Sequence, residues 1–589
     1  MMTRRRDTVC LACLTVLLLA PFLSRPLNID DPLFVWTARH IAAGHPVDFY
    51  GFRLNWYGVV SPMAQVMENP PGVAYLLAAV GRVAGWGEVG LHAALLPAAV
   101  AAVVGVHRLA APLCRRPWAA PLLCLLCPGF LVPATTLMSD VPMFCLWVWA
   151  VVAWRRGDAA PRHGGWSYAA SGVLISAACL TKYPGVNLVP LLALHAVLFP
   201  APRWSTRLTQ AAALAVPVCV LFAYDRVTAA LYGHGLLAGA AGFAAGAHAG
   251  TAALPRLARW ADTLAFTGGA ALPAAAVAGV ACVIDPVGRW WRAVPVALAW
   301  PAAAAAAAGL VPHTGLWAPQ AAEIAAAAGL PSPAHALPTG LFDVEFGGLA
   351  ALGVAVVVLC VDDVARSAAG RDRRNACFLA AWVLGVLVFA GGVNWAINAR
   401  TLLPLLPPAC LLACRAADRI PRRAGRLPPG VPVATAALAA AAVALAVTVA
   451  DDALARVDRR AALDVLAWRA AAAPGRRLWF QGHWGFQYYL QAAGVTCVDL
   501  DAPDLRPGDL LAVPIDNYGV GGTRRRLTVA HVLRYDASRF VATMNAAMAA
   551  GFYGSAGDAL PFAVGLVPPE PFVVLRVEDG GVVTPVGRR

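Results

Sequence analysis

The residue with the most pointed chemistry is Lys182, in the stretch CLTKYPGVNLVP. It is the only lysine among 46 basic residues; every other one is arginine. A chain that writes its cations as arginine everywhere else has a reason to keep a compact ammonium here. Lysine meets a phosphate as a point charge, whereas arginine adds bulk and a planar fork. The plain alternative is a lysine snorkelling at a membrane interface. Arg400, in NARTLLPLLPP, is a second cation in a similar setting, either an anchor at a helix end or a partner of Lys182. Four carboxylates stand at comparable positions: Asp30 and Asp31 in NIDDPLFVWTARH, Glu68 in ENPPGVAYLL and Asp140 in SDVPMF. A carboxylate beside two cations can accept a hydroxyl proton while the cations neutralise a phosphate. Asp31 before Pro32, and Asp140 before Val141 and Pro142, also suit helix N-caps. One cap needs one side chain, so Asp30 is the carboxylate left without that explanation.

These residues need a frame, and the composition says which. Of the 589 residues, 60% are hydrophobic and 13% are charged, with a mean hydropathy of +0.64. Soluble domains carry about 25% charged residues. The expectation is a polytopic α-helical membrane protein with about thirteen spans, near 8–24, 88–107, 118–135, 140–154, 167–181, 184–200, 208–225, 263–284, 293–310, 344–361, 376–393, 401–414 and 431–450. Arginine placement tests the register, because inner loops are the basic ones. With Arg4–Arg6 inside, the clusters Arg108/Arg115/Arg116, Arg155/Arg156/Arg162, Arg203/Arg207, Arg289/Arg292, Arg366/Arg371/Arg373/Arg374 and Arg415/Arg419/Arg422/Arg423/Arg426 all fall on the same side. That pattern accounts for a net charge of +14 without nucleic acid. It predicts a multi-pass inner (plasma) membrane protein with a cytoplasmic N-terminus. Residues 1–450 then form the membrane domain, with a first outer loop at 25–87. Residues 451–589 form a small extracytoplasmic α/β domain, its strands signalled by RRLWFQG, VTCVDL and DLLAVPI.

In the outer loop, Leu33, Phe34, Trp36 and Ile41 predict an amphipathic helix along the membrane surface, and ENPP opens a second one. Tyr183, His483 and Trp484 are possible sugar or acceptor contacts, though His483 and its aromatic neighbours serve a small core equally well. Asp499–Asp501 imitate a metal-binding DXD and are expected to be coincidental. Asp362 and Asp363 read as a solvated inner helix end. No cysteine spacing suggests a metal site, and none is expected. A secondary transporter or a non-catalytic envelope protein is the rival class. A transporter would favour mid-membrane charges and repeated halves, whereas the charges here sit at outer ends.

Taken in order, NIDDPLFVWTARHI, ENPPGVAYLL, SDVPMF, CLTKYPGVNLVP and ARTLLPLLPP resemble the C-type glycosyltransferase superfamily. The nearest pattern is family 39: protein O-mannosyltransferases, the aminoarabinose transferase of lipid A and bacterial relatives. The resemblance runs over residues 8–420, and FQGHWGFQYYLQAAGV…RPGDLLAVP looks like the outer C-terminal domain of bacterial members. Asp31 stands where eukaryotic mannosyltransferases have Glu, and their long insert domain is absent. The resemblance implies transfer of a sugar from a polyprenyl-phosphate donor to a hydroxyl acceptor (glycan, lipid or protein). Asp30 would be the general base, Asp31, Glu68 and Asp140 acidic support, and Lys182 and Arg400 the phosphate ligands. No cofactor is implied, and the anomeric centre inverts.

Overall fold

A computed structural model describes residues 2–159, 164–248, 253–285, 288–310, 319–331, 337–421, 430–517, 519–523, 525–554 and 559–579. Arg162, Arg422, Arg423 and Arg426 lie outside these residues, as do the side chains of Arg4 and Arg289. Most of the apolar runs are helices, as composition requires. Among the described residues, five helices are long and apolar enough to cross a membrane: Glu88–Ala110, Trp204–Tyr232, Thr339–Arg366, Arg371–Val393 and Gly430–Ala472. A sixth candidate is a bent pair.

That pair corrects the expected span at 263–284. The chain instead forms two helices that meet at 101°, the second of them Leu272–Ile284, opened by Pro273 in its first turn. The expected span at 118–135 is also broken, into Ala119–Leu125, Pro128–Leu131 and the 3-10 turn Pro133–Thr135. Pro128 and Pro133 each open a new piece, because proline has no N–H to continue the helix before it.

The ends of the helices sort into two sets. Asp140 begins the helix Asp140–Ala159, and Arg155 and Arg156 lie in its last turns. At about 1.5 Å per residue, these groups are about 20 Å apart. Likewise Lys182 follows the helix Gly164–Thr181, and Arg371 begins the helix Arg371–Val388 that leads toward Arg400. Asp140 thus lies at the end of its helix away from Arg155 and Arg156, and Arg400 beyond the end away from Arg371.

At the arginine end, Asp362 and Asp363 are not solvated, contrary to expectation. Both are buried. Arg292 Nη1 lies 2.9 Å from Asp362 Oδ1 and 3.2 Å from Asp285 Oδ2, while Arg415 Nε is 2.9 Å from Asp363 Oδ1. Arg419 reaches Asp363 as well, at 2.5 Å. The carboxylates at the ends of these helices are neutralised by the arginines of neighbouring helices, which is how a charge survives burial.

The helix Gly430–Ala472 runs without a break through position 450 and into the C-terminal region. There a five-stranded sheet forms in the order Thr496–Cys497, Leu478–Phe480, Leu510–Pro514, Glu570–Val577, Leu527–Tyr535. The first three strands pair in parallel and the last two join antiparallel. One face packs on Val457, Ala461 and Val465 of the long helix and on Phe486 and Leu490 of the helix Trp484–Ala492. The other face is covered by Ala321, Ala325 and Leu330, from the stretch between the expected spans 293–310 and 344–361.

The outer-loop helix Asp31–Ala42 also departs from expectation. Leu33, Phe34 and Ile41 are buried in the main core rather than facing lipid. The helix lies between the helix Gly72–Ala84 and the helix Trp484–Ala492, with Trp36 edge-on to Trp56 and tilted against Tyr488. Its apolar face is satisfied by protein.

Candidate active site

Asp30, Asp140, Lys182 and Arg400, which span 370 positions of sequence, meet in one cluster. Lys182 Nζ donates to Asp140 Oδ1 at 2.6 Å. Arg400 Nη1 lies 3.7 Å from the other oxygen of Asp140 and 3.3 Å from Asp30 Oδ2. Asp140 is 1% exposed, Lys182 19%, Arg400 12% and Asp30 35%. The cluster thus has a buried centre and one accessible carboxylate.

Local structure explains each placement. The helix Asp31–Ala42 starts at Asp31 with Asp30 in the capping position, yet no side chain caps it. Asp31 is therefore not the N-cap that Pro32 suggested. Its side chain is fully buried, with Oδ1 accepting from the Leu137 N–H at 2.8 Å and Oδ2 from that of Asn28 at 3.3 Å. Burial pushes this carboxyl up to about 7, the Arg25 guanidinium pulling the other way. Asp31 ties the loop down, and Asp30 is left free to point elsewhere. Between these anchors Ile29 adopts φ +50°, a costly conformation for a β-branched residue and one that recurs at functional sites.

Asp140 also corrects the capping interpretation: it is the first residue of its helix, and its carboxylate serves Lys182 and Arg400. Arg400 lies in the turn that follows a π-helical stretch at Phe389–Val393. Such stretches frequently mark functional sites. Arg259 braces this turn by donating to the Gly391 carbonyl at 2.7 Å and to the Asn394 carbonyl.

The remaining candidates are placed differently. Glu68 sits beside His234 and against Gly239, within electrostatic reach of Tyr183. Burial raises its carboxyl and His234 partly offsets the effect. Tyr183 faces Tyr224, ring to ring at 6.4 Å. His483 stacks on Trp56 at 4.7 Å, its Nδ1 3.0 Å from the Trp56 carbonyl, and its backbone N–H donates to Asn517 Oδ1. Burial lowers its imidazole to about 3, so it is neutral at physiological pH. His483 and Trp484 belong to the joint between the loop 25–87 and the C-terminal sheet, where Gly485 N–H donates to Asn28 Oδ1 at 3.0 Å. Asp499 accepts from the Asp501 N–H at 3.1 Å, a turn contact that gives this motif a structural use.

Three residues escaped the sequence reading. Arg25, Asp451 and Tyr553 form a buried group, with Arg25 Nη1 2.6 Å and Tyr553 Oη 2.7 Å from Asp451 Oδ2. Arg25 carried a signal, being an arginine on the arginine-poor side. Asp451 had another, as a carboxylate closing an apolar run.

Residues 68–225 match the family model described as dolichyl-phosphate-mannose-protein mannosyltransferase. This match confirms the likeness to family 39-like C-type glycosyltransferases. It contains Glu68, Asp140, Lys182 and Tyr183, but neither Asp30 nor Arg400. No curated protein matches the chain significantly. Among solved structures, it is similar to ArnT from Cupriavidus metallidurans in the apo state (14% identity, 86% of this chain and 92% of that one, TM-score 0.39). It is also similar to the Archaeoglobus fulgidus oligosaccharyltransferase complexed with Zn and sulfate (13% identity, 87% and 68%, TM-score 0.46). A third likeness is to the S. cerevisiae protein O-mannosyltransferase Pmt1-Pmt2 complex bound to the sugar donor (14% identity, 40% and 34%, TM-score 0.31), of which the chain thus spans about a third.

Proposed function

We propose that the protein is an integral-membrane glycosyltransferase. It moves a sugar from a polyprenyl-phosphate carrier to an acceptor hydroxyl on the extracytoplasmic face of the plasma membrane. The observation that carries this reading is the run of contacts Asp30–Arg400–Asp140–Lys182. It sets one accessible carboxylate beside two cations that share a buried counter-ion.

Asp30 takes the acceptor proton as the hydroxyl oxygen attacks the anomeric carbon. The bond from that carbon to the phosphate oxygen breaks, and its electron pair leaves with the lipid phosphate. Lys182 and Arg400 stabilise the charge gained there. A single displacement inverts the anomeric centre. Asp140 holds both cations in place before substrate arrives, so they need not reorganise during reaction. The scheme needs no metal, because fixed cations face the leaving group. In this reading about thirteen spans carry the site, with the N-terminus inside and residues 451–589 outside. Tyr183 contacts the sugar or the acceptor, and Glu68 gives acidic support. The acceptor is a glycan, a lipid or a protein.

The test is polyprenyl-phosphate binding by the purified protein in liposomes, with mass analysis of envelope glycans and lipids from strains that contain or lack it. Absence of both binding and any glycan change would sink the reading. Lys182→Ala is expected to weaken polyprenyl-phosphate binding about 10- to 100-fold, the loss of one hydrogen bond to a charged group. Lys182→Arg should not restore it, because the planar fork does not fit a site built 2.6 Å from a buried carboxylate. Wild-type affinity in the alanine variant would remove Lys182 from the phosphate site.

A further inference from the structure

We infer that Tyr553 is a positioning residue for Arg400, so that the C-terminal segment around it is a built part of the phosphate site rather than an appendage. The inference rests on the reading of Arg400 as a phosphate ligand.

The contacts come from three directions. Tyr553's backbone carbonyl accepts from Arg400 Nη2 at 3.2 Å, and its ring lies 5.0 Å from the guanidinium carbon. One position earlier, the Phe552 carbonyl accepts from the Ala399 N–H at 3.1 Å. The Tyr553 hydroxyl donates to Asp451 Oδ2 at 2.7 Å, and Arg25 is paired to that same oxygen. Thr543, from the same segment, donates to the other oxygen of Asp451 at 2.9 Å. Asp451 is 1% exposed and Arg25 fully buried, so this anchor has no slack.

The consequence for Arg400 is directional. Its Nη2 is held by the Tyr553 carbonyl and one face lies against the ring, which leaves Nη1 turned toward Asp30 and Asp140. Arginine has many rotamers, and a ring face of this kind selects among them at a cation–π energy. Without the ring, the guanidinium keeps the Tyr553 carbonyl as a partner but loses the face that fixes its plane between the two carboxylates.

The experiment measures polyprenyl-phosphate binding in liposomes for wild type, Tyr553→Phe, Tyr553→Ala, Arg400→Ala and the Tyr553→Ala/Arg400→Ala pair, with a cryo-EM structure of Tyr553→Ala. Tyr553→Ala should weaken binding about 3- to 30-fold, and Tyr553→Phe, which keeps the ring, should recover most of that. Tyr553→Leu fills the buried space without a ring face and carries the same expectation should the alanine variant not fold. In the Arg400→Ala background the Tyr553 substitution should have no further effect. An equal loss there would show that Tyr553 acts on the fold and not through Arg400, and would overturn the inference. An Arg400 guanidinium still seated on Asp30 in the Tyr553→Ala structure would overturn it too. If the wild type binds no polyprenyl phosphate, the phosphate reading fails by itself; a displaced Arg400 in that structure would still establish the positioning role.

Discussion

Asp30→Asn should lower sugar transfer by about 10²–10⁴-fold, the contribution of a positioned general base, while polyprenyl-phosphate affinity holds or improves. The amide has the shape of the carboxylate, and its oxygen can still accept from Arg400 Nη1, 3.3 Å away in the native site. What it lacks is the ability to take a proton. It also removes a negative charge that competes with phosphate for Arg400, so binding has no reason to weaken. Turnover and affinity measured on the same preparation separate the two effects. Transfer at the wild-type rate would remove Asp30 as base. Asp31→Asn is the useful contrast. Its carboxylate is sealed against the backbone N–H groups of Leu137 and Asn28, so it should change stability and not the chemical step.

Asp140→Ala is expected to destabilise the protein by about 3 kcal/mol. That is the lower end of the range for breaking a buried ion pair, because Lys182 keeps some access to water. Asp140 is 1% exposed, and its two oxygens face Lys182 and Arg400. Removing it sets two cations side by side in a poorly hydrated place. The check is unfolding of the variant in liposomes, beside the Asp140→Ala/Lys182→Ala pair, which should regain part of the loss because one stranded charge is gone. Wild-type stability in the single variant would mean that Asp140 is only a helix-start residue.

Much of the site was legible because each piece announces itself locally. A lone lysine after an apolar run, an acidic pair behind a span and an arginine before Leu-Pro are all visible as residue types at element ends. The arginine alternation assigned them to one side, and in the structure Asp140 and Arg155 lie at opposite ends of one helix. The strands around Phe480, Cys497 and Val513 were legible for the same reason, through short-range alternation and turn residues.

Partnership was not legible. Pattern placed a capping side chain at Asp31 and at Asp140, and both are engaged in longer-range contacts that override a cap. Asp362 and Asp363 looked solvated because Arg292 and Arg415, which reach them from other helices, are more than fifty positions away in sequence, although Arg366 one turn on also pairs with Asp362. Arg25, Asp451 and Tyr553 stayed hidden for the same reason: the local signals of Arg25 and Asp451 do not name a shared partner until the three converge. Periodicity and composition act over a few turns of chain, and they are enough to set which groups fall at the ends of helices. Which of those groups share a counter-ion depends on how distant helices pack. That packing buries Asp140 between Lys182 and Arg400 while leaving Asp30 at the water's edge, because a buried charge is tolerated only where the folded chain brings it a partner.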